Sequence, residues 1–187
     1  MTVFDIHNRD SAPEAARPVI DGFVKKYGGL PNMMAMMAES PEILEAYLMM
    51  SGLWSRTALS QTERDVVLLA INRENACRYC MASQSFVSDR LGMPADMLAA
   101  LRDGQPLDDP KLETLRSFAT QVVRERGWVG EAAIGKLLEA GFTRRTVFEV
   151  ILAAAFKTLS NYTDHVTDAP VDTHFQDWLW QKPEAAE

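Results

Sequence analysis

Two neighbouring stretches decide the fold: Ser60-Gln61-Thr62-Glu63-Arg64-Asp65-Val66-Val67-Leu68, and then Asn75-Ala76-Cys77-Arg78-Tyr79-Cys80. Ser60 with Glu63 three residues on is a capping-box pattern, so a helix opens there and runs through Ile71. Asn72 to Asn75 reads as a break. A further helix carries Cys77 and Cys80 and runs to Leu91, with Gly92 as its stop. The apolar residues recur at helical and not at alternating spacing, which points to α structure on both sides of the break.

The same punctuation extends outward. Pro13 opens an amphipathic stretch to Tyr27, stopped by Gly28-Gly29. Pro31-Asn32 starts a Met-rich segment, and Ser40-Pro41 opens a helix to about Leu53. Pro94 starts a short helix ending near Gly104, and Asp109-Pro110 caps one that runs to Arg126. Gly130 to Ala140 is another, and Thr143 caps a long apolar helix from about Arg144. The expectation is an all-α protein, a compact helical bundle. It forms one domain over 1–187, with a core at about 30–168 and a C-terminal tail at 169–187. Trp178-Leu179-Trp180 in that tail should pack onto the body. A shift of 84 residues superposes Asp65 on Glu149, Val66 on Val150, Leu68 on Leu152 and Ala70 on Ala154. It sets Cys77 against Asn161 and Tyr79 against Thr163, which raises an internal duplicated helix pair as an alternative to coincidence.

Composition narrows the setting. The chain has 187 residues, 47% apolar and 24% charged, with net charge −7. That acidity argues against nucleic acid or an anionic membrane as partner, since both need clustered Lys and Arg. The N-terminal residues lack the basic and apolar regions of a secretory signal. The most apolar run, Val147 to Phe156, is interrupted by Glu149 and falls far short of the roughly 20 residues of a membrane span. The expected location is the cytoplasm, where a two-cysteine chain is catalytic or metal-binding more often than stapled.

Cys77 and Cys80 lie at a helix start, three residues apart and therefore on one face. Free backbone N–H groups and the helix dipole favour a thiolate there, and Arg78 adds positive charge. A thiolate attacks, and a second cysteine within reach resolves the oxidised sulfur as a disulfide. Other readings of CxxC remain. A structural zinc needs four ligands, and His7, His165 and His174 show no paired spacing. A c-type haem needs His where Met81 stands. A thioredoxin fold needs strands around the motif. Two inert buried cysteines complete the alternatives. No cofactor and no metal are expected.

From Leu30 to about Leu91 the chain resembles the alkylhydroperoxidase D and carboxymuconolactone decarboxylase superfamily. The carrying residues are Leu30-Pro31-Asn32, Ser40-Pro41-Glu42-Ile43-Leu44-Glu45-Ala46-Tyr47, Leu59-Ser60 with Glu63-Arg64-Asp65-Val66-Val67-Leu68, and Asn75-Ala76-Cys77-Arg78-Tyr79-Cys80. Lys157-Thr158-Leu159-Ser160-Asn161-Tyr162 and His165 resemble the tail of its peroxidase-related branch. The resemblance implies an all-helical fold, a homo-oligomer (dimer, trimer or hexamer) and a peroxidase-type oxidoreductase acting on a small hydroperoxide. It implies Cys80 as nucleophile, Cys77 as resolving thiol and an external dithiol as reductant. The family's relay Glu position holds Asp65, and its relay His position holds Gln84, which carries no proton at neutral pH. Two rivals follow: a decarboxylase-type enzyme acting without redox on a small lactone or acid, and a non-catalytic redox-sensing oligomer.

Other residues carry secondary expectations. Glu74 is a helix cap or an accessory acid beside the thiols. Glu149, in an apolar run, needs a partner, with Arg144 or Arg145 available. His165 is a surface residue or supplies the imidazole missing at position 84. Tyr79 is core packing or a phenol near the sulfurs. The Met cluster at 33, 34, 36, 37, 49 and 50 is core or an adaptable wall for an apolar substrate. Trp54 and Trp128 are core or interface.

Overall fold

The computed structural model describes residues 3–183; positions 1–2 and 184–187, part of the expected domain and tail, lie outside the described residues. The described chain is helical throughout, with no strand. Its α-helices are α1 (Arg17–Tyr27), α2 (Asn32–Met37), α3 (Pro41–Trp54), α4 (Gln61–Glu74), α5 (Arg78–Arg90), α6 (Ala95–Asp103), α7 (Pro110–Arg124), α8 (Glu131–Glu139) and α9 (Arg144–Thr167). Short 3-10 turns at Glu14–Ala16 and Thr173–Trp178 flank them.

The caps are those the sequence announces. Ser60 Oγ accepts the Glu63 N–H at 3.2 Å, and the Glu63 carboxylate accepts the Ser60 N–H at 2.8 Å. Asp109 accepts the N–H groups of Lys111 and Leu112. Thr143 and Thr146 form the box that starts α9. Gly104 ends α6 at φ +76°, with the Arg73 guanidinium so close that a Cβ there would lie 2.1 Å from Cζ. Arg73 uses that approach to donate to the carbonyls of Arg102 and Asp103, which the end of α6 leaves free.

α4 is the central element and packs against α5, α6, α7 and α9. Its residues 65 to 72 are all buried, so it is enclosed on every side. It runs three residues beyond Ile71, because Asn72 is bonded into the interior and does not break the helix. The break falls at Asn75-Ala76, where Ala76 takes φ +56° and turns the chain into α5. The 84-residue shift does not reveal a second helix pair. The residues matched to the α4–α5 corner lie inside α9, which has no break.

α9 crosses α2, α3, α4, α5 and α7, and the C-terminal segment folds back over α5. Trp180 is buried and its indole N–H donates to the Arg102 carbonyl at 3.0 Å, so the tail packs onto the body. Trp54 is core, whereas Trp128 is exposed. Met33, Met34, Met36 and Met37 are buried in the cluster that contains both cysteines, and Met49 is exposed. Glu149 finds Arg145 at 2.8 Å and the Ala58 N–H at 2.7 Å. Among the described residues no helix is long and apolar enough to cross a membrane.

Candidate functional site

Cys77 is the N-cap of α5. Its backbone is extended, and its sulfur accepts the Cys80 N–H at 3.3 Å, in the role an Asp or Ser oxygen usually fills. The residues before it set this up, because the Ala76 turn lets the Cys77 N–H reach back to the Asn72 carbonyl at 3.1 Å. Both thiols are free and fully buried.

α9 supplies the opposite wall. Lys157, Ser160, Asn161 and Asp164 follow at helical spacing, so they share one face, and all four are buried. The Cys77 S–H donates to Asp164 Oδ2 at 3.2 Å, and the Tyr79 N–H donates to the same oxygen at 3.4 Å. Cys80 Sγ lies 3.8 Å from Ser160 Oγ. Asn161 donates to Asn72 Oδ1 and accepts from Asn75, while Asn72 donates to the Cys80 carbonyl. These three amides join α4, α5 and α9 in one chain of hydrogen bonds.

The charges on this wall divide the two thiols. Burial pushes Cys80 upward, but its hydrogen bond with Cys77, the Lys157 ammonium and Asn161 outweigh it and lower Cys80 to about 7. Burial, the hydrogen bond with Cys80 and the negative charges of Cys80 and Asp164 drive Cys77 far above the ordinary thiol range. Asp164 is itself raised by burial, opposed by the Cys77 and Tyr79 hydrogen bonds. From α3, Tyr47 packs its ring on Phe156 at 5.1 Å, and its phenol is raised by burial and by both sulfurs.

Of the candidates read from sequence, Cys77 and Cys80 sit together at this seam. Asp65 and Gln84 meet each other: Gln84 Nε2 donates to Asp65 Oδ1 at 3.1 Å, as does Gln61 at 2.9 Å. Gln84 follows Cys80 by one turn and also donates to Ser88. Burial raises Asp65, against the Gln61 hydrogen bond and the Arg64 charge. Among the described residues the hydrogen bonds of this pair run to one another and to Gln61 and Ser88, not to a sulfur. Tyr79 donates its hydroxyl to Asp172 and accepts the Met33 N–H at 3.4 Å, tying α2 and the C-terminal segment to α5. His165 is exposed and stacked on Tyr162, so it adjoins Asp164 without entering the seam. Glu74 ends α4 in an ion pair with Arg124 at 3.0 Å, which lowers its carboxyl. Asp164 was not named from sequence, and Lys157, Ser160, Asn161 and Tyr47 entered as carriers of the resemblance, with no role at the site. The signal for Lys157, Ser160, Asn161 and Asp164 was their spacing, which repeats at three and four residues along α9.

Two open cavities flank the seam. One, of about 700 Å³, is lined by Arg78, Tyr79, Asp164, Asp168, Pro170 and Trp180. The other, of about 660 Å³, is mostly apolar and lies between α2, the start of α3 and α9, with Met36, Met37, Ile43, Leu159 and Val166 on its walls. Among the described residues no three His, Cys, Asp or Glu side chains converge as metal ligands would.

No family model matches the chain, and no curated protein matches it. Solved structures do. An uncharacterized peroxidase-related protein of Ralstonia eutropha JMP134, described as an alkylhydroperoxidase AhpD core, superposes with TM-score 0.77 at 21% identity, covering 93% of this chain and 94% of its own. A peroxidase-related protein of Silicibacter sp. TM1040 gives TM-score 0.78 at 21% identity, covering 93% of each. The debrominase Bmp8, solved as a cysteine-to-alanine variant in complex with 2,3,4-tribromopyrrole, gives TM-score 0.77 at 16% identity, covering 95% of each. Over nearly its whole length this chain therefore has the all-helical fold of the alkylhydroperoxidase D core.

Proposed function

We propose that the protein is a cytoplasmic thiol-dependent oxidoreductase that reduces a small hydroperoxide through Cys77 and Cys80. The observation that carries this reading is the unequal setting of two adjacent thiols. A nucleophile needs its thiolate near neutral pH and a resolving thiol does not. Cys80, lowered to about 7, attacks the terminal peroxide oxygen. The S–O bond forms, the O–O bond breaks, and the alkoxide leaves with a proton as alcohol. Cys77 then attacks the Cys80 sulfenic acid, forming the disulfide and releasing water. An external dithiol takes up the disulfide electrons and restores both thiols. Gln84, one turn from Cys80 on α5, and Asp65, its partner on α4, orient water at the α4 side.

The test is hydroperoxide consumption with a dithiol reductant. Cys80→Ser abolishes it, and Cys77→Ser leaves a sulfenate that dimedone traps. Equal consumption by the Cys80→Ser protein sinks the assignment. Association of identical chains, expected from the resemblance, is supported by the outer face of α9, where Phe148, Ile151, Tyr162 and Val166 are exposed.

A second reading is favoured by Gln84, an amide where a peroxidase relay would titrate, and by the likeness to a debrominase. In it, the same dithiol removes halogen from a small halogenated aromatic. The ring gains a proton, halide leaves, and the two thiols become the disulfide. Halide release from a bromopyrrole with no hydroperoxide turnover would select this reading.

A further inference from the structure

We propose that Asp164 is the general base of the step that closes the disulfide, taking the Cys77 proton as the Cys77 sulfur attacks Cys80. The inference rests on Cys80 attacking and Cys77 resolving.

The Cys77 proton has one carboxylate to go to. Cys77 is fully buried, so bulk water does not reach its sulfur. Its S–H already points at Asp164 Oδ2, 3.2 Å away. Among the described residues, no other carboxylate hydrogen-bonds either sulfur. Asp65 is engaged by Gln61 and Gln84, and the Gln84 amide accepts no proton at neutral pH. Geometry therefore leaves Asp164 as the acceptor. The Tyr79 N–H on the same oxygen fixes its aim. Asp164 also lines the open cavity of about 700 Å³, which gives the proton a way to solvent. A base within hydrogen-bond reach of the proton it removes is the geometric requirement for this role.

The step balances. The Cys77 S–H bond breaks and its proton passes to Asp164. The S–S bond forms, and the group on Cys80 leaves with the electron pair of its bond to sulfur. From a sulfenic acid that group is hydroxide, which gains a proton and departs as water. From a mixed disulfide it is a thiolate. When an external dithiol reduces the pair, Asp164 returns the proton to Cys77.

The probe is 2,2′-dithiodipyridine, an uncharged disulfide that releases one coloured thione when Cys80 attacks and a second when Cys77 closes the ring. In the wild type the two releases are followed by stopped flow, and the mixed disulfide on Cys80 by mass spectrometry. Asp164→Asn should leave the first release within a few-fold and slow the second by about a hundredfold, the lower end of a general base's contribution. The mixed disulfide then accumulates, and Asp164→Glu recovers most of the rate. A second release as prompt in Asp164→Asn as in the wild type overturns the proposal. So does an equal slowing of both releases in Asp164→Asn and Asp164→Glu. The wild type alone gives an independent check. Deuterium oxide should slow the second release about twofold with little effect on the first, and no effect on the second counts against the base. Hydroperoxide is absent throughout. A protein that ignores hydroperoxide yet shows the two-step release loses the peroxidase reading and keeps this one.

Discussion

Cys77 and Cys80 stand on the same turn of α5, three residues apart and equally hidden from solvent, yet they move in opposite directions from an ordinary thiol. Burial acts on both and raises both, so burial is not the difference. Nor is the helix start, which they share. The difference comes from the hydrogen bond between the two sulfurs, and α9 adds to it. Its Lys157 end favours negative charge on Cys80, and its Asp164 end holds the proton on Cys77. A CxxC motif places two sulfurs, and the helix across from it adds to the separation between them.

That contrast is most directly broken at Lys157. Lys157→Met removes the cation and keeps the length of the side chain. Cys80 should then titrate near the ordinary thiol value of about 8.5. The sign follows from the charge: a cation stabilises the thiolate, so its loss raises the midpoint. In the wild type the rate of Cys80 alkylation should climb through pH about 7 and level off above it. In the variant the climb moves up, and the rate at pH 7 falls about tenfold. An unmoved midpoint would leave the contrast to Asp164 and the Cys77–Cys80 hydrogen bond.

A smaller effect sharpens it at Tyr79. Tyr79→Phe removes the partner of the Met33 N–H and leaves the Asp172 carboxylate with the Asn32 N–H, without moving either sulfur. It should destabilise the protein by about 1–2 kcal/mol in denaturant titration. The pH midpoint of Cys80 should stay put, since the phenol serves the frame and not the thiols. The smallest effect is expected at Arg124. Arg124→Ala frees Glu74 from a pair that is largely exposed on the arginine side. It should cost less than about 1 kcal/mol. Thiol reactivity should be unchanged, and a change there would bring Glu74 back to the site.

The contrast also explains which parts were legible in the sequence. Capping chemistry is local, so Ser60 with Glu63, Asp109 and Thr143 announce their helices within four residues. The sulfurs are local too. The wall opposite them is not. Lys157, Ser160, Asn161 and Asp164 lie on the buried side of α9, while Phe148, Ile151, Tyr162 and Val166 of the same helix face outward. A rule that sends polar residues to water reads such a helix inside out, because the reasons for burial sit about eighty residues away on α5. His165 drew notice as an imidazole in the right stretch, but its neighbour Asp164 holds the sulfur. Asn72 looked like a helix breaker for the same reason. Its side chain bonds Asn161 and Cys80, partners that sequence proximity does not reveal.

Met33, Met34, Met36 and Met37 share the buried cluster of the two cysteines. Oxidants that a thiolate consumes also convert methionine to its sulfoxide, more slowly and with a polar group as the result. Met36 and Met37 also line the open apolar cavity, so under the proposed chemistry an oxidant that enters while Cys80 is held in its disulfide meets them instead. Under the proposed chemistry, wear on this protein would follow reductant supply more closely than oxidant dose. A molecule re-reduced promptly would keep its interior intact, and one left oxidised would age from the inside.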